Sequence, residues 1–152
     1  MLWGSAQNFE SPARPTLLWI DDFVPALELY QASFERLGFR VLTASSGELG
    51  VALATRNRVD VVVTDYEMPG INGEDVATAV KAINPRIPVI MFSGSTLIPP
   101  RLRRVVDAFC DKAGSRDKLV GVIHRLLQKK GVRTLQPPPV AQASHHGHRT
   151  VA

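Results

Sequence analysis

The chain has 152 residues, 45% of them hydrophobic and 21% charged, enough for one domain around a single core. No apolar run approaches the roughly 18–20 residues of a transmembrane helix, residues 1–15 lack the basic head and apolar stretch of a secretory leader, and Cys110 stands alone; a cytoplasmic protein with neither a disulfide nor a cysteine-built metal cage is expected. The net charge of +4 divides into 7 Lys and Arg against 11 Asp and Glu over residues 1–100, and 10 against 3 over residues 101–133, a half-acidic distribution that argues against nucleic-acid binding.

Residues 1–15, rich in Gly, Ser, Asn and Pro, show no period and are expected to form a flexible arm. Residues 16–20 form an apolar run ended by Asp21-Asp22. From Pro25 onward Leu27, Tyr30, Phe34 and Leu37 recur at spacings of three and four, which predicts a buried strand leading into an amphipathic helix stopped by Gly38. A second strand is predicted over 39–43, and a helix over 46–57 with Leu49, Ala52 and Leu53 inward. Val61-Val62-Val63-Thr64 predicts a third strand. Asp65 to Asn72 is a predicted loop, because Pro69-Gly70 and Asn72-Gly73 are turn dipeptides. A helix with Val76, Ala79, Val80 and Ile83 on one face follows and stops at Asn84-Pro85. The remaining predictions are a strand over 87–92 with Ser93-Gly94-Ser95 as its exit, a weaker helix over 97–107 carrying Pro99-Pro100, and a short strand over 108–111. The last helix spans 115–130 with Leu119, Val122, Ile123, Leu126 and Leu127 inward. Residues 134–152, opening on Pro137-Pro138-Pro139, are expected to be a disordered tail. Alternating apolar strands and amphipathic helices specify an α/β fold, a doubly wound five-stranded parallel sheet with helices on both faces.

In such sheets ligands bind outside the carboxyl ends of the strands. Those ends carry Asp21-Asp22, Asp65, Ser93 and, after the last strand, Lys112. Three neighbouring carboxylates repel unless a cation neutralises them. Mg²⁺ suits the set, since it takes one or two carboxylates, keeps several waters and shares its other positions with phosphate. Lys112 and Ser93 then face phosphoryl oxygens, and the remaining carboxylate is a candidate nucleophile.

Asp21-Asp22, then Asp65 within Val61-Val62-Val63-Thr64-Asp65-Tyr66-Glu67-Met68-Pro69-Gly70-Ile71-Asn72-Gly73, then Ser93-Gly94, then Phe109 three residues before Lys112, together resemble the CheY-like receiver domain of bacterial response regulators. The resemblance runs over roughly residues 17–127 and implies a flavodoxin/CheY-like receiver domain over 16–133. It implies Asp65 as phosphoacceptor from the phosphohistidine of a sensor histidine kinase, a histidine phosphotransfer protein or a small phosphodonor. Asp21, Asp22, Asp65 and the Glu67 backbone carbonyl are the implied Mg²⁺ ligands, with Asp21 acting through water. Ser93 is implied as the switch hydroxyl, Phe109 as the aromatic that moves with it and Lys112 as the phosphate-contacting lysine. The resemblance also implies that Glu67 and Ser95 tune dephosphorylation. The chain is therefore expected to be no enzyme beyond its own phosphorylation and autodephosphorylation.

The family's usual proline after the lysine is Ala113 here, so either a trans bond with a shifted loop or a strained cis bond is expected. Pro99-Pro100 is expected to shorten the fourth helix. Fewer than 25 residues follow Lys130, too few for a helix-turn-helix unit, so a stand-alone receiver is expected to signal through a face built from the fourth helix, fifth strand and fifth helix. Arg101, Arg103 and Arg104 lie there and suit an acidic protein partner. Two other readings weigh less: a receiver-shaped scaffold that is never phosphorylated, and a phosphatase with an aspartate nucleophile, which wants a second Asp where Glu67 stands. His145, His146 and His148 are read as tail residues rather than a metal site. Monomer and dimer both stay open.

Overall fold

The computed structural model of the chain describes residues 13–95 and 98–132. It contains β1 (Thr16–Ile20), α1 (Val24–Arg36), β2 (Arg40–Ala44), α2 (Gly47–Arg56), β3 (Val61–Thr64), α3 (Gly73–Ile83), β4 (Val89–Ser93), a 3₁₀ helix (Pro100–Arg104), β5 (Ala108–Asp111) and α4 (Arg116–Lys129). The strands form one five-stranded sheet in the order β2-β1-β3-β4-β5, every pair parallel. The chain leaves β1 toward β2 on one side and returns to β3 on the other, so strand order reverses between β1 and β3. The expected α/β fold is present. Most of the arm expected over 1–15, and the whole tail expected over 134–152 with its histidines, lie outside the described residues.

Alternation along each strand sorts side chains to two faces. Leu17, Trp19, Val61, Val63, Ile90 and Phe92 point to one side, where Phe34 of α1 and Leu119, Ile123 and Leu127 of α4 cover them. Leu18, Ile20, Val62, Val89 and Met91 point to the other, under Ala54 of α2, Val76, Ala77 and Val80 of α3, and Leu102. Both faces are covered, which is why the strands are near-continuous apolar runs. Trp19 is fully buried, as expected of a core residue. Cys110 is a buried free thiol, and burial pushes its pKa up. Gly38 ends α1 with φ 94°, a left-handed conformation that glycine tolerates best.

Several expectations are corrected. The helix predicted over 97–107 is only the 3₁₀ turn Pro100–Arg104: Pro99 and Pro100 lack amide donors, and Leu102 is its one fully buried residue. Among the described residues the sheet therefore carries four α-helices, and the predicted signalling face has a short turn in place of its first helix. The second strand begins one residue later than predicted, and the fourth runs to Ser93. Leu49 and Ile83 are exposed rather than inward. α2 instead buries Gly47, Gly50 and Ala54, Gly47 against Ile71 and Val76 and Gly50 against the sheet, where a Cβ would lie 2.8 Å from Ile20 Cγ1, so this helix packs too closely for large side chains. No peptide bond among the described residues is cis, so Lys112–Ala113 is trans.

His124 of α4 packs against Phe39, with ring centroids 5.7 Å apart, and its buried Nδ1 has no hydrogen-bond partner among the described residues. Burial lowers its pKa below the ordinary 6.5. The folded state thus holds the neutral ring, and its contribution to stability, complete above pH 6.5, is lost as pH falls through the lowered value. Urea midpoints of the wild type are expected to drop between pH about 7.5 and about 5 by more than those of His124→Gln. Equal drops in the two proteins would contradict this.

Candidate functional site

β1 and β3 are neighbours in register, Ile20 opposite Thr64, so the residues that follow them, Asp21 and Asp65, emerge side by side at the point where strand order reverses. Backbone hydrogen bonds hold both: Asp21 N–H donates to Ala44 O at 3.1 Å and Asp65 N–H to Ile20 O at 2.9 Å. Asp21 is almost wholly buried, at 1% exposure, and its Oδ1 accepts the Phe23 N–H at 2.9 Å, fixing the carboxylate where α1 begins. Asp22, beside it, is exposed.

Asp65 is positioned from behind by Gly73, the first residue of α3. Asn72-Gly73, predicted as a turn, is instead a helix start: the Asn72 side chain accepts the Asp75 N–H at 3.0 Å and Asp75 returns the bond to Asn72 N–H at 3.0 Å, a capping box. Gly73 N–H bonds Tyr66 O at 2.9 Å. A Cβ on Gly73 would collide with the Asp65 carbonyl oxygen and lie 2.9 Å from Tyr66 Cα, so glycine is required here by close approach. Pro69-Gly70 lies at a bend, with Gly70 at φ 78°.

Lys112 arrives from β5. Its Nζ donates to Asp21 Oδ2 at 2.7 Å and to Asp65 Oδ2 at 2.9 Å, while the other Asp65 oxygen accepts Tyr66 N–H at 2.7 Å. Burial alone pulls the Lys112 ammonium down, but the two hydrogen-bonded carboxylates together outweigh it and hold the pKa above the usual lysine range. The trans Lys112–Ala113 bond does not keep the ammonium from the site.

Ligand oxygens of Asp21, Asp22 and Asp65 lie within 4.8 Å of one another. The set is all oxygen, and one ammonium among three carboxylates leaves two negative charges over, a match in hardness and charge for Mg²⁺. Ser93 is buried at the end of β4; its Oγ accepts the Ser95 N–H at 3.2 Å, and its carbonyl accepts Lys112 N–H at 3.1 Å. Phe109 is half-buried on β5 and packs with the α3-side cluster. Glu67 is exposed in the loop after β3. Arg101, Arg103 and Arg104 are exposed, but Arg101 is committed, its guanidinium forking onto Glu74 at 2.8 and 3.0 Å.

Two neighbours escaped the sequence reasoning. Tyr30 stacks on Trp19, centroids 4.1 Å apart, and its pKa is raised by burial and by Asp21, against the opposing pull of Lys112. Phe92 places its ring 5.9 Å from Lys112 Nζ. Both sit on strongly periodic apolar positions, which signal core and conceal proximity to the site.

Comparison with known proteins gives a consistent result. Residues 17–124 match the family described as response regulator receiver domain. The probable transcriptional regulatory protein TcrX of Mycobacterium tuberculosis is 29% identical over 123 residues, covering 79% of this chain and 53% of TcrX; the chain thus spans about half of that relative. A receiver domain protein from Clostridium thermocellum superposes with TM-score 0.72 at 29% identity, covering 77% of this chain and 97% of the other. The response regulator TrrA of Thermotoga maritima, solved with Mg²⁺-BeF, superposes with TM-score 0.70 at 24% identity, covering 74% and 98%.

Proposed function

The chain belongs to the response regulator receiver domain family of two-component signalling, and from that premise we propose that Asp65 is its phosphoacceptor, serving within a receiver unit over residues 16–133. The observation that carries the reading is the convergence of Asp21, Asp22 and Asp65 with Lys112 hydrogen-bonded to two of them.

An Asp65 carboxylate oxygen attacks the phosphorus of a phosphohistidine on a sensor histidine kinase or histidine phosphotransfer protein. The new bond is Asp65 O–P and the broken bond is P–N; the electron pair stays on the imidazole nitrogen, which is then reprotonated from solvent. Asp21, Asp22, Asp65 and the Glu67 carbonyl would hold Mg²⁺, with Asp21 acting through water, and the ion when bound neutralises charge on the phosphoryl oxygens. Lys112 donates to the same oxygens, giving up one carboxylate contact to do so. Ser93 turns its hydroxyl toward the phosphoryl group, and Phe109 moves into the space this leaves, so the face around the 3₁₀ turn, β5 and α4 is repacked. Arg103 and Arg104 on that face suit an acidic protein partner, with affinity that falls as salt rises. Glu67 and Ser95 set how readily water reaches the phosphoryl group. The chain turns over nothing but its own aspartyl phosphate.

Incubation with acetyl phosphate and Mg²⁺ is expected to add the mass of one phosphoryl group to the intact chain, and excess EDTA is expected to prevent it. No added mass with Mg²⁺ present would overturn the reading.

A further inference from the structure

We propose that the opposite edge of the sheet is a second binding site, taking a small organic phosphate of nucleotide class through Arg58, Arg86 and Lys130. Arg58 precedes β3, Arg86 precedes β4 and Lys130 caps the carboxyl end of α4, so all three lie at the amino-terminal edge of the sheet, away from Asp65. They line one cavity of about 1030 Å³, a size that suits a small-molecule ligand.

The cations there are only partly offset, by Asp60. None of the three side chains has an ion-pair or hydrogen-bond partner among the described residues. Lys81 nearby is satisfied by Asp107 at 2.7 Å, and Asp60 is buried and engaged with Thr16 N–H at 2.7 Å. Burial pulls the Lys130 ammonium below the usual lysine range; Asp60 opposes this, while Arg58, Arg86 and Lys81 add to it. Complementing the carbonyl ends of helices does not account for Arg58 and Arg86, because Arg56 and Lys81 already stand in the last turns of α2 and α3. A neighbouring cavity shares Arg58 and adds Arg14 and Arg40 beside Glu35 and Asp60.

The rest of the lining selects the ligand. Two guanidinium forks and an ammonium suit phosphate oxygens, and Ala54, Val59 and Ile87 offer an apolar wall. Asn57 uses its Nδ2 on Leu53 O and Asn84 uses its Oδ1 on Arg86 N–H. One amide acceptor and one amide donor are thus left for the polar edge of a heterocycle.

The test is ADP added to the full chain in metal-free buffer, followed by amide NMR. Shifts are expected at Val59, Ile87 and Gly131, with binding weakened about tenfold or more in Arg58→Gln/Arg86→Gln and less in Lys130→Gln, while phosphorylation of Asp65 by acetyl phosphate is unchanged in all three proteins. Inorganic pyrophosphate is expected to bind the same edge more weakly. Shifts confined to the Asp65 edge, no shifts at millimolar ADP, or a hexaglutamate peptide binding as tightly as ADP would each overturn the proposal.

Discussion

Lys112→Met is expected to cost about 3 kcal/mol of folding stability in EDTA, and Mg²⁺ is expected to restore most of the loss. Asp21 is 1% exposed and has Lys112 as its only ion-pair partner among the described residues. Removing that ammonium leaves a buried carboxylate beside two others whose oxygens lie within 4.8 Å. Breaking one side of a buried pair is costly because the abandoned charge has already lost its water. Methionine keeps the apolar stem that runs past Phe92, so the change reports charge rather than packing. A divalent cation held by the same oxygens replaces the missing positive charge, and the variant should therefore gain more stability from Mg²⁺ than the wild type does. Urea unfolding of both proteins in EDTA and in Mg²⁺ measures this. A loss below about 1 kcal/mol in EDTA, or no larger Mg²⁺ response in the variant, would contradict the account of the site.

Gly73→Ala is expected to destabilise by about 3 kcal/mol, the upper end of overpacking, and to slow phosphoryl uptake from acetyl phosphate. The added methyl meets the Asp65 carbonyl oxygen, Met91 Sδ at 2.8 Å and Tyr66 Cα at 2.9 Å. Two of those neighbours are backbone of the loop that carries Asp65, so relief of the clash must move the carboxylate. The control is Gly121→Ala, where a Cβ meets nothing within 4 Å and the position is inside α4; there alanine is expected to stabilise by about 0.5–1 kcal/mol. Opposite signs at the two glycines separate steric demand from helix propensity. Equal effects, or unaltered uptake in Gly73→Ala, would show that the close approach does not position Asp65.

What the sequence disclosed follows from where its signals are local. The apolar runs of β1, β3 and β4 are bounded by polar residues, so the strand ends, and with them Asp21, Asp65 and Ser93, are legible without coordinates. The 97–107 segment misleads because Leu102 and Val106 are spaced like a helix face and both are buried, while Pro99 and Pro100 limit the turn to 3₁₀. α2 misleads for the opposite reason: hydrophobic periodicity weights large residues, and here the buried positions are the small residues Gly47, Gly50 and Ala54. Gly73 looks like a turn glycine in sequence, since only the fold reveals the Asp65 carbonyl behind it. The basic edge is invisible to segment counting. Arg14, Arg40, Arg58 and Arg86 are scattered through the acidic part of the chain, and the parallel topology gathers them because each stands before, or at the start of, a strand. The net charge of +4 thus has two spatial components, the arginines around the 3₁₀ turn and the edge opposite Asp65.

Of the several acidic residues at one edge, Asp65 is the one expected to accept the phosphoryl group. Reduction of the acetyl phosphate-treated chain with borohydride converts an aspartyl phosphate to homoserine, which peptide mass spectrometry locates. Homoserine is expected at position 65 alone, absent in EDTA and in Asp65→Ala and retained in Asp111→Ala. Homoserine at Asp21, Asp22 or Asp111, or none in the wild type with Mg²⁺, would contradict it.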